Sequence, residues 1–144
     1  PNVTVMGALA KAYLLTGNPT YKDRFEATYR GIQALKDEDG DHYHSPYSKE
    51  SMGATDDDYT THSSQNYLMI ALFTMYQATG DTNYLEEVNT LLGFLKERLL
   101  IDGQILHHWI DGRAAADPDP YIYCLGCNVQ TLYFLLVMKM HLEG

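Results

Sequence analysis

Basic residues are scarce in this sequence. Ten Lys and Arg stand against nineteen Asp and Glu, for a formal net charge of −9 and a pI near 4.9. The ten are scattered, with no basic stripe. Nothing is available to release counterions from a phosphate backbone, which excludes nucleic acid as a partner. An anionic membrane surface is excluded on the same ground. Long hydrophobic runs are missing too. The most apolar stretch, VQTLYFLLVMKMHL from Val129, carries Gln130 and Lys139 and is too short to span a bilayer, so no membrane insertion is expected and it reads as a core helix. No leader segment is visible, and Pro1 in place of Met suggests a processed or truncated start. There are only two cysteines, Cys124 and Cys127 in YCLGCN. Asn128 stands where haem attachment needs His, which leaves a structural pair, a redox dithiol or half of a zinc site. No phosphate loop, no G-x-S-x-G elbow and no H-E-x-x-H is present, and neither a cofactor nor a metal is predicted. The acidic run DEDGD, Asp37 to Asp41, has its glycine at the wrong place for an EF-hand and Ser48 where the bidentate Glu belongs. A turn explains it.

What is present describes one globular domain. The 144 residues, 45% hydrophobic and 20% charged, suffice for a single core and are too few for two. Twelve tyrosines supply flat apolar faces with a polar tip, of use in half-wet cores and in sugar-binding clefts alike.

The chain repeats itself. Displaced by 63 residues, ALAKAYLLTGNPTY (Ala8 to Tyr21) falls on ALFTMYQATGDTNY (Ala71 to Tyr84). The register continues through Asp39-Gly40 on Asp102-Gly103 and His44 on His107, and a third copy begins near Asn128. Each unit opens with a helix apolar on nearly every side, such as Tyr67 to Ala78, which must be surrounded by protein. An amphipathic helix follows, with Tyr84, Leu85, Val88, Leu91, Leu92, Leu95 and Leu99 at helical spacing, matched by Tyr21, Phe25, Tyr29, Ile32 and Leu35. Between them Gly17 and Gly80 suit the left-handed position that ends a helix. Asn18 and Asp81 suit the cap of the next helix, and Pro19 its first turn. Asn2, Asn66 and Asn128 recur near the start of each apolar helix, where capping or loop bonding is their expected use. The prediction is an all-α domain over residues 1–144. Its helical hairpins run inner, outer, inner, outer, inner and form part of an α/α toroid, with the long polar loops gathered on one face. An apolar inner helix at each end predicts missing flanking hairpins or self-association.

The segment LFTMYQATGDTNYLEEVNTLLGFLKERLL, followed by DGQILHHWIDGR, resembles the six-hairpin toroid enzymes of carbohydrate metabolism. It is most similar to unsaturated glucuronyl and rhamnogalacturonyl hydrolases, and it shares its hairpin grammar with N-acylglucosamine 2-epimerase-like proteins. The resemblance spans roughly Gln65 to Arg113. It implies a glycoside hydrolase, lyase or epimerase working on a saccharide, with a catalytic aspartate just inside an inner helix. Counted back from Asp81, that position holds Ser63 and Ser64, and the nearest acids are Asp56, Asp57 and Asp58.

Glycosidic chemistry needs a proton donor at the leaving oxygen and a second group to activate water or stabilise the cation. In TDDDYTTHSSQN, Asp56, Asp57 and Asp58 would raise one another's pKa if buried together, and His62 could serve as a base beside them. In solvent the same run is a hydrated loop. An exposed Trp109 beside His107 and His108 would make a stacking platform for a pyranose. His44, Arg113, Tyr121 and Tyr123 complete the candidate saccharide-binding set. The alternative is a non-catalytic helical-repeat scaffold or protein-binding fragment that lacks a complete site.

Overall fold

Gly17 and Gly80 take φ of 66° and 72°, the left-handed conformation that terminates a helix without a Cβ penalty. Each amide closes the last turn, Gly17 onto the Tyr13 carbonyl and Gly80 onto that of Tyr76. The chain then re-enters a helix at once. Asn18 Oδ1 accepts from the Thr20 N–H at 3.0 Å, and Asp81 Oδ1 from the Asn83 N–H at 3.0 Å. These two hairpins set the architecture of the computed structural model, which describes residues 2–44, 59–106, 108–110, 113–114 and 125–144, with the backbone path alone at 59, 108–110 and 113–114.

The fold is all-α. Five helices are described, α1 (Asn2–Thr16), α2 (Pro19–Gln33), α3 (His62–Thr79), α4 (Thr82–Phe94) and α5 (Leu125–Glu143). Helix α3 is central and packs on α1, α4 and α5, while α2 backs α1. It buries residues on almost every side, among them Leu68, Met69, Leu72, Phe73 and Met75. Each such side chain contributes roughly 1.5–3 kcal/mol. Helices α2 and α4 bury one stripe each, Phe25, Tyr29 and Ile32 on the first and Tyr84, Val88 and Leu91 on the second.

Beyond α4 the chain makes a single π-helical turn, Leu95–Leu99, rather than continuing as α-helix to Leu99. With this wider turn Phe94, Leu95 and Leu99 are all inside. The polar loops also contain short antiparallel strands that periodicity does not reveal. Strands β2 (Leu100–Ile101) and β3 (Gln104–Ile105) form a hairpin whose turn, Asp102-Gly103, has φ of 51° and 78°. Two positive φ values in a two-residue loop follow the right-handed twist of the strands. The repeat extends into this feature. Lys36 bridges Tyr43 across Asp39-Gly40, and Leu106 donates to Leu99 at the positions 63 residues later. Strands β1 (Tyr59–Thr61), β4 (His108–Ile110) and β5 (Arg113–Ala114) make a second sheet in the order β1-β4-β5. Among the described residues no helix is long and apolar enough to cross a membrane.

Candidate functional site

Four of the sequence candidates, His62, His108, Trp109 and Arg113, come together at the start of α3. Helix formation there begins at His62, inside the stretch read as loop, because Thr61 caps it: its Oγ1 accepts from the Ser64 N–H at 3.3 Å. Ser63 and Ser64 are therefore helical. Strand β1 leads straight into this cap and pairs with β4, setting Thr60 opposite Trp109 and Thr61 opposite His108. Strand β5 adds Arg113 opposite Ile110. Three candidates distant in sequence from His62 thus lie on one small sheet at the mouth of α3. Asp56, Asp57, Asp58, His107, Tyr121 and Tyr123 lie outside the described residues.

His62 itself is fully buried. Its Nε2 lies 2.7 Å from Thr131 Oγ1 on α5. The Thr131 hydroxyl sits 2.8 Å from Asn66 Oδ1 and 3.0 Å from the Cys127 carbonyl. A hydroxyl has one proton to give, so with Thr131 donating onward, His62 Nε2–H is the donor to Thr131. Asn66 Nδ2 also donates to the Cys127 carbonyl, at 3.1 Å. This closed network joins the first turns of α3 and α5, and it holds the imidazole away from solvent. Cys127, also buried, is disulfide-bonded.

Sequence reasoning missed a second kind of polar contact. The Gln65 amide takes both backbone groups of Tyr43, accepting its N–H at 3.2 Å and donating to its carbonyl at 2.8 Å. Asn128 does the same for Ile105, at 2.9 Å in each direction. Gln65 and Asn128 are 63 residues apart, as are Asn2 and Gln65. The recurring amide is therefore Asn2, Gln65 and Asn128, with Asn66 an additional one serving the His62 network. In α3 and α5 an amide in the first turn clamps the hairpin that precedes the helix. The signal was present in the spacing, hidden by the exchange of Asn for Gln.

His44 donates its backbone N–H to Leu35, and its ring meets His42 edge-on at 5.4 Å between centroids. No described residue hydrogen-bonds its buried Nδ1. In the acidic run, Asp37 accepts the N–H groups of Asp39, Asp41 and His42 at 3.0–3.3 Å. Burial raises the Asp37 carboxyl, but the His42 charge and these three bonds outweigh it and hold the group below its ordinary value. Donor atoms of Asp37, Asp41 and His42 lie within 4.8 Å of one another. The Asp37 oxygens are already taken by backbone, and Asp41 engages His42 at 2.6 Å and Arg98 at 3.3 Å. These are the contacts of a closed turn.

A polar cleft of about 470 Å³ opens between α2 and α4, lined by Glu26, Tyr29, Gln33, Asn83, Tyr84 and Glu87 among others. Tyr84 donates its phenol to Glu26, and Tyr43 donates to Glu87 at 2.8 Å. Lys36 Nζ joins Glu87 at 2.8 Å and lies 5.5 Å from the Tyr43 ring centroid. Burial, reinforced by neighbouring phenol and carboxylate groups, pushes Tyr43 and Tyr84 well above the usual phenol range. Tyr29 is raised as well, first by burial. The lining offers carboxylate, amide and phenol groups, the set that binds hydroxyl-rich or ammonium ligands.

Comparison with protein-family models, with curated proteins and with solved structures found no match for this chain.

Proposed function

We propose that this chain is a carbohydrate-active domain of the α/α toroid type, binding a saccharide on the loop face at the mouth of α3 and acting on it as a glycoside hydrolase, lyase or epimerase. The observation that carries the reading is the pairing of β1 with β4, which sets Thr60 and Thr61 against Trp109 and His108. Indole, imidazole and carboxylate are the groups that stack on a pyranose and move protons at its glycosidic oxygen. Asp56, Asp57 and Asp58 supply the acid in this reading, and His44, His107, His108, Arg113, Tyr121 and Tyr123 supply contacts to hydroxyl or carboxylate groups. His62 takes part indirectly, by fixing α3 to α5.

The test is a thermal-shift screen against neutral, acidic and unsaturated oligosaccharides, because a ligand bound only by the folded state raises the melting temperature with saturation. One responding sugar class, with the response lost in Trp109→Ala and turnover lost in Asp58→Asn, is the expected result. A well-folded sample that responds to no sugar rejects the reading. One observation favours the second reading, a non-catalytic helical-repeat scaffold. His62, the histidine nearest the acids in sequence, has no exposed surface and is committed to Thr131.

A further inference from the structure

An apolar groove of about 280 Å³ lies between α4 and α5, walled by Leu92, Leu95, Leu100, Ile105, Thr131 and Leu135, with Lys96 at its rim. Every wall residue has a counterpart 63 positions earlier: Tyr29, Ile32, Asp37, His42, Leu68 and Leu72. In that earlier unit α4 and its π turn cover the aromatic part of this space, while the polar cleft between α2 and α4 stays open. Tyr84 packs on Tyr29 at 6.4 Å between centroids and on Phe25 at 5.9 Å, and Phe94 stacks flat on His42 at 4.2 Å. There Leu72 is fully buried and Tyr29 is 9% exposed, whereas Leu135 is 37% exposed and Leu92 is half-buried. The open groove thus corresponds, one repeat further on, to the place where Tyr84 and Phe94 cover Phe25, Tyr29 and His42.

Charge matches as well. Gln33 lines the same cleft as Glu86 and Glu87, near the start of α4, where Lys36 pairs with Glu87 at 2.8 Å. The counterpart of Gln33 in the open groove is the cation Lys96. Past the end of α4, Arg98 reaches Asp39 at 3.5 Å. The counterpart of Asp39 is Asp102, exposed in the β2–β3 turn outside the groove wall, so a cation stands at the rim and an anion lies beyond the Leu100–Ile105 strand pair. A helix with an acidic start and a basic end complements that order in one direction only.

We propose that this groove is a docking site for an amphipathic helix from a partner polypeptide. The helix carries aromatic and aliphatic anchors at the spacing of Tyr84, Val88, Leu91 and Phe94, acids beside the first anchor and a base beyond the last. Apolar anchors on successive turns entering a groove are a recurrent mode of helix recognition.

The probe is a synthetic peptide of residues 82–99, fluorescently labelled and stapled across its solvent-facing side to hold it helical, titrated into the whole chain. Saturable binding in the micromolar range is expected. It falls tenfold or more when Tyr84 or Phe94 of the peptide becomes Ala, and when the protein carries Leu135→Asp. Leu132→Asp, on another side of α5, leaves it unchanged. Lys96→Glu weakens binding and a peptide with Glu86→Lys and Glu87→Lys restores it, a reversal that a folding defect cannot produce. Absence of saturation with a peptide shown helical by circular dichroism overturns the proposal. So does binding that ignores Leu135→Asp and Lys96→Glu, and so does a sedimenting dimer whose Leu92 and Leu135 methyl signals are already protected without peptide, which assigns the groove to a second copy of the chain.

Discussion

The carboxylate of Asp37 accepts three backbone N–H groups in a turn of six residues, and its environment holds it ionised to lower pH than an ordinary aspartate. A carboxyl with a depressed folded-state pKa contributes stability that is complete above its unfolded value and is lost as pH falls through its folded value. The buried phenols act at the opposite limit. Tyr29, Tyr43 and Tyr84 have folded values above the ordinary 10.0, so what they contribute is complete below pH 10.0 and declines as pH rises beyond it. Urea midpoints across pH should therefore trace a plateau with an acid limb and an alkaline limb. Asp37→Ala should lower the plateau by about 2 kcal/mol, the cost of three N–H groups left without their acceptor, and flatten the acid limb below about pH 4. An acid limb that keeps its slope in the variant would assign it to other carboxylates. Residues whose role is local were the legible ones. Gly17, Gly80, Asn18 and Asp81 act through backbone conformation and hydrogen bonds within a few residues, which a sequence displays directly. Asp37 read correctly as a turn residue for the same reason, but its charge coupling to His42 depends on how that turn folds back.

At the scale of elements, the hairpin repeat fixed which segments become helices, because burial on all sides and burial on one stripe leave different patterns in sequence. Strands of two or three residues leave none. The Asp102-Gly103 pair was the available sign of β2 and β3, and nothing local announces that β1 will meet β4. That pairing brings the candidates His108 and Trp109 to the start of α3, a juxtaposition that the sequence did not display. The amide clamps are also long-range, and they decide how firmly each hairpin is held. Gln65→Ala should leave the buried Tyr43 N–H without a partner and cost about 2 kcal/mol, while the Tyr43 carbonyl keeps its bond from Thr60. Asn128→Ala should cost less, since Asn128 and Ile105 are only half-buried and water can replace the lost bonds. Amide hydrogen exchange checks this residue by residue. Tyr43 should lose protection in the first variant and Ile105 in the second, each without loss at the other. Loss at both sites in either variant would mean that the hairpins open together and that the clamps are not separate units.

For the molecule as a whole, two features oppose each other. Helix α5 buries Cys127, Thr131 and Phe134 against its neighbours, yet leaves Leu125, Val129, Leu132, Leu136 and Met140 on a continuous outward stripe, with Leu125 78% and Met140 75% exposed. A face of that kind drives association in water. The net charge of −9 keeps copies apart at neutral pH and moderate ionic strength. Either removing the charge or screening it should let the stripe prevail, so the protein should turn turbid near pH 4.9 and, at neutral pH, as salt rises into the molar range. Leu132→Glu combined with Leu136→Glu interrupts the stripe at its middle without touching the buried side of α5. That variant should stay clear under the salt challenge and bind less of an apolar fluorescent dye, with a melting temperature within a few degrees of the parent, because neither leucine is buried on folding to any large extent. If the double variant clouds as readily as the parent, the attraction lies elsewhere on the surface. If it melts far lower, the outward side of α5 contributes to the fold itself.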